Sequence, residues 1–122
     1  VVLPMPGAEP RGLVLDAQVL AELRDIMGAE FASLVEVFLE DAPLAVTRIR
    51  ELAALQDNAA ISAPAHTLKS TSANLGALTL SNLARSMEQD ARRGILTSAP
   101  AKAAALAVEF ERVATALRQE IG

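Results

Sequence analysis

The chain has 122 residues, one domain's worth; 52% are hydrophobic but only 2% aromatic, so its core is built from Leu, Ala, Val and Ile and favours helices over strands. With no cysteine, a disulfide scaffold, a thiolate metal site and a cysteine nucleophile are excluded. Eleven Lys and Arg against fifteen Asp and Glu give a net charge of −4 without the basic stripe of a nucleic-acid binder, and no apolar run approaches the roughly 20 residues of a membrane span.

Residues 1–13 hold three Pro and two Gly and have no apolar periodicity, which predicts a flexible linker or tail. The start at Val1-Val2, without Met, is what a segment of something longer would show. From residue 14 onward the pattern is that of a helical bundle, 14–122. Asp16 is the predicted N-cap of a short helix carrying Val19, Leu20, Leu23 and Met27, which Gly28 stops. A long helix is predicted from about 29 to 56, with Phe31, Leu34, Val35, Phe38 and Leu39, then Val46, Ile49, Leu52 and Ala53, at three-and-four spacing. Pro43 interrupts it and is expected to kink it, because the apolar face resumes with little change of phase.

Asp57-Asn58 is the next break. Helical pattern returns through Ile61, Ala65, Leu68, Ser72 and Leu75 and ends at Gly76, with Pro64 delaying the regular start. Leu78 to Arg93 places Leu80, Leu83, Ala84, Met87 and Ala91 on one face, and Gly94 caps it. Its end, Asp90-Ala91-Arg92-Arg93, reads as a solvated terminus with arginines favourable to the helix dipole. Ser98 and Pro100 open the last helix, striped by Ala103, Leu106, Phe110, Val113, Leu117 and Ile121. Short connections favour antiparallel neighbours. The expected fold is all-α: an antiparallel up-and-down four-helix bundle with an additional short N-terminal helix.

His66 is the single histidine. On a helical wheel it points about 140° away from the apolar cluster of its helix, so it belongs at the surface, where an imidazole is available as base or nucleophile. Lys69 and Ser70 follow at i+3 and i+4 on the same side, and Ala73 a turn later. A cation one turn from the ring suits a phosphoryl group better than a metal, and small neighbours leave room for a second protein's active site. An exposed histidine without function is the competing reading of the same residues.

The stretch Ala65-His66-Thr67-Leu68-Lys69-Ser70-Thr71-Ser72-Ala73-Asn74-Leu75-Gly76-Ala77 resembles the signature of histidine-containing phosphotransfer (HPt) domains, His-x-Leu-Lys-Gly/Ser-x-Ser/Ala-x-x-x-Gly. Phe38 to Pro43 and Leu83 to Gly94 are also similar to that family, and the likeness covers about 14–120. The resemblance implies a phosphorelay intermediate that takes a phosphoryl group from a receiver domain's aspartyl-phosphate onto His66 and passes it to another receiver's aspartate. It implies that Lys69 offsets phosphate charge. Glu88 matches a position where family members carry Gln or Glu, which accepts a hydrogen bond from Nδ1–H and leaves Nε2 free. A solvated helix-face charge is the competing, weaker reading of Glu88. Two departures stand out: Ser70 where Gly is commonest, and Pro64 two residues before His66.

The expected docking surface surrounds His66 with Thr67, Ser70, Ala73 and Asn74 and parts of the first two helices. The domain itself is expected to need no cofactor and hold no metal; Mg²⁺ would come with the partner receiver. The remaining expectations are a cytoplasmic, monomeric module without nucleic-acid or membrane contact, at the end of a hybrid sensor kinase or free-standing. Sensor-kinase hairpins carry Glu or Asp after the histidine, and here Thr67 follows, so no kinase activity of its own is expected. A hydrolase would need a nucleophile turn and oxyanion hole that the sequence lacks. A helical docking module without phosphotransfer is the alternative function.

Overall fold

The computed structural model describes residues 14–121, and the tail expected over 1–13 lies outside the described residues. Five helices follow in order: α1 Ala17–Met27, α2 Glu30–Ala54, α3 Ser62–Asn74, α4 Leu78–Arg93 and α5 Ala99–Ile121, with a 3₁₀ turn at Ala59–Ile61. No strand occurs among the described residues. The fold is all-helical, as composition and periodicity led one to expect.

Helix ends sit where local chemistry puts them. The Asp16 carboxylate accepts from the backbone N–H of Gln18 and Val19 at 2.9 and 3.3 Å, satisfying two donors that have no intrahelical partner. Gly28 and Gly94 close α1 and α4 with φ of 54° and 68°. Pro64 is the third residue of α3, inside the first turn, where the N–H it lacks would have had no helical acceptor. The helix starts at Ser62 rather than near Asn58 because the intervening residues form the 3₁₀ turn. Ser98 does precede α5, but with φ 53°, and its carbonyl accepts from Lys102 N–H at 3.0 Å. α2 passes through Pro43 as one helix without restarting. Buried Ala42 and Val46 hold both sides of the proline to the core, so packing offsets the missing hydrogen bond.

α2 packs against α3 and α5, and α4 against α3 and α5, around one core. Val35, Ile49, Leu68, Leu80, Leu106, Val113 and Leu117 are each at most 1% exposed there. Phe38 of α2 meets Phe110 of α5 with ring centroids 6.1 Å apart, a tilted pair. α1 docks through Asp16, whose N–H donates to the Gly76 carbonyl at 2.8 Å. Arg24 ties the other end of α1 to Glu120 of α5.

Candidate functional site

α3 buries Ala65, Leu68 and Ser72 and so turns His66 outward; the imidazole side chain is 53% exposed. α4 buries Leu80, Ala84, Met87 and Ala91, and the flank of that stripe faces the α3 seam. Two α4 side chains seven residues apart cross the seam. Ser81 Oγ donates to the Lys69 carbonyl at 2.8 Å, and Glu88 meets the side chains of His66 and Lys69. Advancing along α4 therefore retreats along α3, and this pair runs antiparallel. Ser81 and Glu88 thus tie α4 to α3 at two points.

Glu88 is not a solvated helix-face charge: its side chain is only 3% exposed. Its Oε2 lies 2.7 Å from His66 Nδ1 and its Oε1 accepts from Lys69 Nζ at 2.8 Å. Arg92, one turn further along α4, forms an ion pair with Oε2 at 3.0 Å. These partners hold the Glu88 carboxyl below its ordinary value of 4.5; the Lys69 hydrogen bond contributes most, burial opposes it, and the His66 hydrogen bond and the charges of Lys69 and Arg92 add to the lowering. An ionised carboxylate can only accept, so Nδ1 must carry the proton in this bond. In the neutral ring the lone pair then resides on Nε2, the nitrogen left free by Glu88.

Arg92 corrects the reading of residues 90–93 as merely a solvated helix end. The guanidinium is 63% exposed, yet it is ion-paired with the buried carboxylate. The signal for it was in the sequence, since Glu88 and Arg92 stand at i, i+4. Ser81 was also missed, because its bond to the Lys69 backbone carbonyl leaves no mark in the side-chain pattern.

Thr67, Ser70, Ala73 and Asn74 are all exposed on α3, but they divide between two surfaces. Thr67 and Asn74 border an apolar groove between α2 and α3, lined also by Leu34, Val37, Phe38 and Leu75. Ser70, Ala73 and Asn74 border a polar depression between α3 and α4 with Lys69, Asn82 and Arg85. The ring's own helix thus presents an apolar flank on one side and a polar one on the other. No group of three or more His, Cys, Asp or Glu assembles in metal-binding geometry among the described residues, and no described helix is long and apolar enough to cross a membrane.

Comparison with known proteins agrees with this arrangement. The family model for the Hpt domain matches residues 33–120. The structure is similar to the crystal structure of histidine-containing phosphotransfer protein B from Pseudomonas aeruginosa, with a TM-score of 0.83 and 32% identity over 88% of this chain and 94% of that one. No curated protein matches the chain. A buried carboxylate on an exposed imidazole, the family match and the shared fold together lead to one conclusion: the chain belongs to the Hpt family, with a histidine phosphotransfer role in a phosphorelay.

Proposed function

We propose that His66 is the phosphoryl carrier. The observation that supports this most is the pairing of its Nδ1 with buried Glu88 while the ring stays exposed, which leaves Nε2 as the nucleophile. The Nε2 lone pair attacks the phosphorus of a receiver's aspartyl-phosphate. The N–P bond forms as the acyl phosphate P–O bond breaks, and the bonding pair leaves with the aspartate carboxylate. Nδ1 keeps its proton against Glu88 while positive charge develops on the ring, and that charge is stabilised by a carboxylate already in place. Lys69 then offsets the charge of the phosphoryl group, for which its ammonium swings from Glu88 Oε1. Transfer to another receiver's aspartate is the reverse of these steps.

Mg²⁺ in this scheme is held by the acidic pocket of the receiver, and the domain brings no cofactor of its own. Docking uses Thr67, Ser70, Ala73 and Asn74, with the groove beside Thr67 supplying apolar contact and exposed Val37 on its rim. The encounter is transient and modest in area. The bundle over 14–122 is an antiparallel up-and-down four-helix arrangement with α1 added. It serves as the C-terminal module of a hybrid sensor kinase, monomeric when isolated and on the cytoplasmic side. The test is phosphoryl transfer from a phosphorylated receiver, with His66→Gln as the comparison.

A further inference from the structure

The Glu88 oxygen that holds the His66 ring is shared. Oε2 meets Nδ1 at 2.7 Å and Arg92 Nη2 at 3.0 Å, while Oε1 is occupied by Lys69 Nζ at 2.8 Å. A carboxylate beside an imidazole favours the doubly protonated ring, which has no lone pair on Nε2. Each cation paired with the same carboxylate weakens that pull. The two cations are held differently. Lys69 sits on α3 beside the ring, whereas Arg92 shares a helix with Glu88 at i, i+4, so its ion pair does not depend on how α3 or a phosphoryl group is arranged.

We infer that Arg92 is a positioning residue that acts on His66 through Glu88: ion-paired with the oxygen that holds Nδ1–H, it limits the carboxylate's pull on the ring and extends toward acid pH the range in which Nε2 is unprotonated. This rests on His66 being the phosphoryl acceptor. The charged groups around the seam are Lys69 of α3 and Glu88, Arg92 and Arg85 of α4, while Asp41 of α2 lines the groove beyond Thr67. The 3₁₀ turn, Ala-Ala-Ile, brings no charge, and α5, which also packs on α4, pairs its buried Glu109 with its own Arg112 at 3.6 Å.

The experiment follows the ¹⁵N and ¹H resonances of the single histidine against pH in the unphosphorylated domain. It compares wild type, Arg92→Gln, Arg92→Lys, Glu88→Gln and the double variant Glu88→Gln/Arg92→Gln. At a fixed pH, Arg92→Gln is expected to raise the ratio of protonated to neutral ring by about 1.5- to 5-fold, the range of a partly exposed ion pair. Arg92→Lys restores most of the wild-type ratio, and in the Glu88→Gln background the Arg92 effect falls by at least half. Superimposable curves for wild type and Arg92→Gln overturn the inference, as does an effect of equal size in both backgrounds, which would make Arg92 act on the ring directly. In transfer assays the loss for Arg92→Gln is confined to the acid side. A loss equal at all pH values assigns Arg92 to receiver docking and also overturns the inference. If His66→Gln still accepts phosphate, the carrier reading fails, and the ring titration alone then decides the role of Arg92.

Discussion

His66 Nδ1 and Glu88 Oε2 lie 2.7 Å apart across the α3–α4 seam, although 22 positions separate the two residues in sequence. One is exposed and the other buried, so the polar anchor is dry while the reactive edge of the ring is wet. Burial makes the anchor stiff and strengthens its electrostatics; exposure gives a partner access.

Removing the anchor is expected to slow transfer without abolishing it. Glu88→Ala deletes a hydrogen bond to a charged group and leaves Lys69 and Arg92 without their shared partner. The expected loss in initial rate is on the order of 10- to 100-fold. Glu88→Gln loses less, because its amide oxygen still accepts from Nδ1–H. Equal rates for wild type and Glu88→Ala would remove Glu88 from the mechanism.

Acid should weaken the fold through the same residue. Because the folded state holds the Glu88 carboxyl below 4.5, mainly through Lys69, the folded protein binds fewer protons there than the unfolded chain. The stability this contributes is fully present above the unfolded value and is lost as pH falls through the lower, folded one. In urea titrations, wild type should therefore lose stability relative to Glu88→Gln as pH drops from about 5 toward about 3. A gap that stays constant across that range would contradict the ionised, paired state of Glu88.

The docking surface has its own test in Ser70→Trp. Ser70 is exposed on the polar flank of α3, so the substitution should keep the fold and block transfer sterically. Unimpaired transfer by a folded Ser70→Trp would move the receiver contact elsewhere.

Gly76 sets the docking of α1 and is expected not to tolerate a side chain. Its φ is 73°, and a Cβ there would meet the Asp16 carbonyl oxygen and Val19 Cβ, both at 3.1 Å. Gly76→Ala should cost about 1–3 kcal/mol, read from the denaturant midpoint, while leaving the His66 resonances in place.

Helix ends were legible wherever one residue's chemistry decides them, as with Asp16, Gly28, Gly76 and Gly94. So was the outward position of His66, which needs only the period of its own helix. The helix runs on through Pro43, in line with an apolar face that keeps its phase there, and tertiary packing rather than local propensity holds it continuous. The bond from Glu88 to His66 depends on the axial offset of two helices. Ser81 meets α3 at a backbone carbonyl, a contact that no pattern of side chains along either helix displays. Family resemblance pointed to Glu88 and i, i+4 spacing to Arg92, but the burial of Glu88 emerges only when α3 and α4 are side by side.

The central claim is tested most directly by incubating the domain with a phosphorylated receiver and Mg²⁺ and measuring intact mass for wild type and His66→Gln. Wild type is expected to gain one phosphoryl group that is acid-labile and alkali-stable, and the folded variant to gain none. Phosphorylation of His66→Gln, or failure of folded wild type with several receivers, would contradict it and favour a bundle that only docks its partner.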